Sequence, residues 1–156
     1  MSEESKTPEV PEVTDEWRER NAKAQPDPLL GALVETVTES ADSQFHITLT
    51  VGGTLITGRL VGRLRWAGEL VDQYGSGVTF MSQVEKLWRE NDEENKAKKD
   101  SAEPPFAEFI HLTDARVVAA NGLVPGGAMG MFWRGRLNEV QGWSLGTMSH
   151  SEPPSD

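Results

Sequence analysis

Apolar positions along this chain follow two periods in turn. Leu29, Leu30, Leu33, Val34 and Val37 recur at helical spacing, with Glu35 and Glu39 on the other side. Asp27–Pro28 precedes them, an Asp suited to the N-cap and a Pro suited to the first helical position. The pattern predicts an amphipathic helix of about three turns ending near Ser40, too short to stand alone and therefore placed over an open end of a β domain. From Phe45 the period drops to two. Phe45, Ile47, Leu49 and Val51 alternate with His46, Thr48 and Thr50, a half-buried strand, and Gly52–Gly53 is a hairpin signal. A second strand is predicted from about Thr54 to Arg65. Gly58 and Gly62 share its face with Ile56 and Leu60 and permit sharp bending or close approach of another backbone.

Between Trp66 and about residue 105 strand character stops. Phe80, Val84, Leu87 and Trp88 predict one helix from about Thr79 to Lys96, with a polar, fraying end and a linker at Asp100–Pro105. The stretch reads as a helical insertion between strands. Strand character returns at Phe106–Val118. Asn121–Gly122 marks a turn and Pro125–Gly126–Gly127 a loop. Met131–Leu137 and Val140–Leu145 are two further strands around Asn138–Glu139. No internal repeat of about 20–50 residues is present. The expected fold class is mainly β (α+β): a small curved sheet or Sm-like/SH3-type barrel, with an N-terminal helix and a helical insertion at about 66–105. The single domain is expected at 27–147. Residues 1–26, rich in Glu, Pro, Ser and Thr, are expected to be a disordered acidic tail, and 148–156 a second disordered tail. Trp17, among Asp15, Glu16, Arg18 and Glu19, is either part of a solvated tail or a short docking motif.

Composition narrows the function. The chain has 156 residues, 37% hydrophobic, and a net charge of −10, so phosphate backbones and anionic membrane surfaces repel it. With no cysteine there is no disulfide, zinc–thiolate site or thiol nucleophile. No apolar run is long enough to span a bilayer, and the polar start at Met1–Lys6 is no secretory signal, so a cytoplasmic location is expected. His46, His111 and His150 are scattered, without the i, i+4 partner of a helical metal site. Gly126, Gly127 and Gly130 fit no phosphate-binding fingerprint, and their loop joins two strands, so no helix end waits for an anion. Carboxylates gather in solvated runs, which cannot separate their pKa values for acid–base work. No enzyme, cofactor or metal is expected. The strands instead carry Arg59, Arg63, Arg65, Arg116, Arg134 and Arg136 against Glu108, Asp114 and Glu139. Arg beside aromatics, as in Phe132–Trp133–Arg134, has the composition of a contact surface, although outward strand positions give the same pattern. The same mixture could hold single-stranded RNA, against which the negative charge argues.

Three blocks stand out: Ile47–Gly58 (ITLTVGGTLITG), Phe109–Arg116 (FIHLTDAR) and Phe132–Gly146 (FWRGRLNEVQGWSLG). Together, over roughly residues 40–147, they resemble the gas vesicle accessory protein U (GvpU) family. The order of elements also resembles an Sm-like barrel, but without the asparagine-bearing nucleotide loop ahead of the third strand. The family resemblance implies a cytosolic bacterial protein serving gas vesicle production or management. Its partner would be protein, namely the vesicle shell, other gas vesicle proteins or a second copy. It supplies no catalytic residues. The candidate interaction residues are those of the matching motifs: Gly58, His111, Asp114, Phe132, Trp133, Arg134, Gly135, Glu139, Gly142 and Trp143. The expected function is a non-enzymatic accessory protein that binds the shell, itself or both to control vesicle clustering or assembly. The alternatives are an Sm-like RNA-binding protein and a chaperone-like adapter for the shell protein.

Overall fold

The structure, a computed structural model, describes residues 14–16, 26–97 and 107–149. Trp17, His150, the linker at 100–105 and most of both expected tails lie outside the described residues. Helix α1 spans Pro28–Glu39 and starts as its sequence predicts: Asp27 accepts a hydrogen bond from the Leu29 N–H at 2.9 Å, and Pro28 follows. Leu30, Val34 and Val37 are buried on one face, while Leu29 turns out to solvent.

Strands β1 (Phe45–Val51) and β2 (Thr54–Val61) form the expected hairpin, in register from Phe45 opposite Leu60 to Val51 opposite Thr54. Both turn glycines, Gly52 and Gly53, have positive φ, as a tight turn of this hand requires. The second strand ends at Val61 and not near Arg65. Gly62 begins a helix, α2 (Arg63–Tyr74), so the helical insertion opens earlier than the periodicity indicates. A short 3-10 turn leads into α3 (Thr79–Ala97), close to the expected span. Then come β3 (Phe109–Ala119), a short β4 (Gly122–Val124), β5 (Met131–Arg136), a 3-10 turn at Leu137–Glu139 and β6 (Val140–Leu145).

Over residues 26–97 and 107–149 the fold is α+β, with three α-helices and one antiparallel six-stranded sheet ordered β4–β3–β2–β1–β6, β5 also pairing with β3. Register shifts interrupt the ladders at Thr50/Val51, Thr57/Arg59 and Leu112/Ala115, and irregularities of this kind bend a sheet. The sheet curves, but the closed barrel that was one expectation is not formed. Among the described residues, β6 pairs only with β1, and β4 and β5 pair only with β3. A helix seals the core in place of a closing strand pair. Leu30, Val34 and Val37 of α1 pack with Ile47, Leu49, Ile56, Leu60, Ile110, Leu112, Ala115 and Leu137.

A second core lies on the other side of the sheet. There Val61, Trp66, Ala67 and Met81 pack together with Leu70, Val71, Val84, Trp88 and Phe132. The α2–α3 pair thus covers the outer face of β3 and β5. The Trp66 indole N–H donates to the Leu112 carbonyl at 3.1 Å, which fastens the helical layer to the middle of β3. Arg59 extends the fastening, donating to Thr113 Oγ1 and pairing with Glu69, whose other oxygen takes Arg65.

Two close approaches make falsifiable demands. A Cβ at Gly62 would lie closer than 3.0 Å to the Val37 carbonyl oxygen, because the end of α1 rests on the exit of β2. Gly31, inside α1, has nothing within 4 Å of a notional Cβ. Gly62→Ala should therefore lose about 1–3 kcal/mol of stability through overpacking. Gly31→Ala should gain about 0.5–1 kcal/mol from helix propensity. Urea unfolding midpoints check both, and an unchanged midpoint for Gly62→Ala would refute the packing of α1 on β2.

Candidate functional site

The motif residues sort into those that shape the backbone and those that gather at one cavity. Gly58 faces the irregularity in β3, where a Cβ would sit 3.1 Å from Ala115 Cα and 3.2 Å from the Thr113 carbonyl. Asp114 occupies that irregularity with φ of 50°, a left-handed conformation that Asp tolerates better than most residues. Its carboxylate accepts from the Gly130 N–H at 2.8 Å and from Arg116 at 3.1 Å, and Arg116 also donates to the carbonyls of Pro125 and Gly127. Asp114 and Arg116 together hold the loop that delivers β5. Gly135 is required by its neighbour, since the Trp133 indole lies where a Cβ would be. Trp133 packs on the α1-side core.

Trp143 on β6 donates its indole N–H to Asp27 at 2.8 Å, which ties the start of α1 to the edge of the sheet. That bond first, and the Leu29 N–H second, hold the exposed Asp27 carboxyl below its usual pKa. Gly142 has only Thr50 Oγ1 nearby, at 4.0 Å from a notional Cβ, and Glu139 is exposed in the 3-10 turn. Neither joins the other motif residues at the cavity. Gly146 lies beyond β6 and accepts from Thr48 Oγ1 at 2.9 Å, while the Met148 N–H donates to Thr57 Oγ1 at 2.9 Å. The chain after β6 is thereby laid across the outer face of β1 and β2.

His111, Phe132 and Arg134 come together on the outer face of β3 and β5. Register places His111 directly opposite Arg134. The His111 ring is 4% exposed and lies between two indoles, Trp66 at 5.2 Å and Trp88 at 5.9 Å. Its Nε2 accepts from Arg134 Nε at 3.1 Å, so the imidazole is neutral. Burial, followed by the charges of Arg134 and Arg63, pushes its pKa down to about 3. Phe132 closes the layer with edge contacts to Trp66 and Tyr74.

Arg134 lies over the Phe109 ring, 3.6 Å from its centroid, and 5.9 Å from that of Trp88. Arg63 approaches the same Trp88 ring at 5.5 Å and pairs with Asp92 on α3. Burial, and then Arg63, draw the Arg134 pKa below its ordinary value, though a guanidinium stays charged at any physiological pH. These groups line a cavity of about 390 Å³, with Val34 and Thr38 of α1 on one side and Glu108 at the rim. Sequence reasoning missed Arg63, Trp88 and Asp92 as partners of the motif. Their helical spacing was legible, but not the face that α3 turns to β3.

No nucleophile–base pair is assembled in this cavity. Among the described residues no group of three or more His, Cys, Asp or Glu is placed to hold a metal ion, and no helix is long and apolar enough to cross a membrane. The arrangement defines a small α+β protein whose sheet is covered on both faces and whose motif residues serve mainly as frame. Residues 27–148 match the family described as gas vesicle protein GvpU-like, and the chain belongs to it. That family is not a known enzyme family. No curated protein and no solved structure gave a match.

Two measurements probe the frame. His111 is depressed in the folded state, so the unfolded chain binds more protons below its ordinary value of 6.5. The neutral ring therefore supports folding fully above that value and loses its contribution, on the order of a few kcal/mol, as pH falls toward about 3. His111→Gln, which keeps an acceptor for Arg134, should flatten the fall of the urea midpoint across this window. An equal slope in both proteins would contradict the burial. The proton bookkeeping for Asp27 has the same sign, because its folded-state pKa is also lowered. Its lowered carboxyl contributes above the unfolded pKa of about 3.9 and loses that contribution as pH drops through the folded value. Trp143→Phe should be less stable than the parent at neutral pH, with the gap narrowing as the pH is lowered and Asp27 is protonated in both proteins.

Proposed function

We propose that this chain is a cytosolic, non-catalytic accessory protein of gas vesicles that works through contact. Its sheet recognises the vesicle shell, a second copy of itself, or both, and so governs vesicle clustering or assembly. Family membership supplies the vesicle context. The observation that carries the mode of action is the open sheet, in which, among the described residues, the outer edges of β6 at one end and of β4 and β5 at the other are unpaired. An unpaired strand offers a row of N–H and C=O groups that a second chain can complete.

The β6 edge has the features of such a template. The Gly146 N–H donates inward to the His46 carbonyl at 2.7 Å. Antiparallel alternation then points the Gly142 and Ser144 amides inward and those of Trp143 and Leu145 outward. Leu145 stands opposite the fully buried Ile47, yet is itself 61% exposed. An apolar side chain on the core side of the sheet is thus left for a partner to cover. In this reading residues 27–147 are the working unit. Of the motif residues, Phe132, Trp133, Gly135, Gly142 and Trp143 act by fixing the edge strands. The acidic segments at 1–26 and 148–156 tune association between particles, a contribution that salt screens.

Flotation of purified gas vesicles with the chain, together with light scattering of the chain alone, tests the proposal. The parent protein should float with vesicles or self-associate. Leu145→Pro, which deletes an outward amide and leaves the inward ladder bonds intact, should weaken that association about tenfold. Vesicle clustering should fall between roughly 50 and 500 mM salt. A monomer that ignores vesicles would sink the proposal. Retention of single-stranded RNA at the same concentrations would favour the nucleic-acid reading, and solubilised shell subunits without clustering would favour the adapter reading.

A further inference from the structure

The cavity between α1, α3 and the β3–β5 edge holds two guanidinium groups with unmet donors. Arg134 is held at both its plane and its stem: the plane rests on Phe109, and Nε is committed to His111. Among the described residues its two terminal nitrogens have no hydrogen-bond partner. An arginine at a cavity mouth ordinarily samples many rotamers, so this one is a pre-aimed fork. Across the Trp88 ring, Arg63 has a buried Nε–H that finds no acceptor. Buried donors without acceptors are rare, and one beside a cavity marks a place for an oxygen atom.

Charge then selects the class of ligand. Asp92 answers Arg63, which leaves Arg134 as the cation of the cavity lining without a carboxylate partner among the described residues. Glu108 at the rim is exposed and makes no ion pair among the described residues, so a second negative charge on the ligand would meet repulsion from it and from Asp92. The terminal fork of a guanidinium matches a carboxylate in geometry, two parallel N–H donors to two oxygens. Beside the fork, Val34, Ala107 and the Trp88 ring offer apolar wall to whatever carries the carboxylate.

We propose that this cavity is a binding site for a carboxylate monoanion attached to an apolar group, received by the fork of Arg134 with Arg63 and Trp88 behind it. Such a carboxylate can come from a small organic acid or from the free C-terminus of a peptide. The site does not depend on the gas-vesicle reading, because the β6 edge tested there contributes no residue to it.

An NMR titration of the full chain tests the proposal, following the Trp88 indole and Arg134 Nε–H signals. The probes are benzoate, benzamide, inorganic phosphate, and a short apolar peptide with a free or an amidated C-terminus. Saturable shifts with benzoate, and none with benzamide, are expected. Arg134→Lys keeps the charge but loses the fork, and should weaken benzoate at least tenfold, whereas Arg136→Lys on the same strand should not. If the free-ended peptide displaces benzoate and the amidated one does not, the carboxylate is a peptide terminus. If neither peptide competes, it belongs to a small acid. The site assignment is overturned if benzamide equals benzoate in the unaltered protein, if phosphate binds more tightly, or if Arg134→Lys binds benzoate as the parent does. The benzamide comparison needs no variant and holds even if Arg134→Lys folds poorly.

Discussion

Burial of β3 on both faces is the constraint from which the rest of this structure follows. Ile110 and Leu112 point into the core that α1 seals, and His111 and Thr113 point the other way yet are also buried. A strand covered on both sides cannot leave polar groups unpaired, since each would cost about 1–3 kcal/mol. The helical layer therefore brings polar partners as well as apolar ones. Trp66 supplies an indole N–H to the Leu112 carbonyl, and Arg59 reaches Thr113 from β2. Arg134 crosses from β5 to His111. Placing the α2–α3 insertion between β2 and β3 is what makes this possible, because the chain leaves β2 at Gly62 directly onto the outer face.

The neutral His111 ring is the most consequential of these polar groups. A charged imidazole there would face two guanidiniums between two indoles. Accepting a hydrogen bond resolves that conflict and at the same time fixes the Arg134 stem. One buried acceptor thus sets the direction of an exposed cation, and the aim of the Arg134 fork is a by-product of satisfying β3.

Much of the frame was legible from the residues. The N-cap and apolar stripe of α1, the alternation in β1 and the Gly52–Gly53 turn each specify a local conformation that tertiary context did not override. The start of α2 was not legible, because Arg63–Leu64–Arg65–Trp66 alternates polar and apolar as a strand does. The helical set Trp66, Ala67, Leu70 and Val71 was available as a signal, but the preceding alternation and the curved-strand reading of Gly58 and Gly62 obscured it. Those glycines serve close approach, not closure: Gly58 meets the β3 irregularity and Gly62 meets α1. The cavity was half legible. The motif named His111 and Arg134, but Arg63, Trp88 and Asp92 reach it only through the packing of two helices on a sheet, which no single-strand period encodes.

The arginines separate frame from surface in a way composition could not. Arg59, Arg63 and Arg65 are bound to carboxylates of the helical layer, and Arg116 is bound to Asp114 and to loop carbonyls. Arg134 and Arg136 are the pair on β5 without a carboxylate partner among the described residues, both within cation–π distance of Phe109. Both lie on the terminal strand β5, while the overall charge of the chain is −10. Among the strand arginines of the described residues, the charge without a carboxylate partner is thus concentrated at one end of the sheet, and an exposed apolar residue, Leu145, marks the other. The two ends differ in chemistry, so an edge partner at one end is distinguished from an edge partner at the other by charge as well as by backbone pairing.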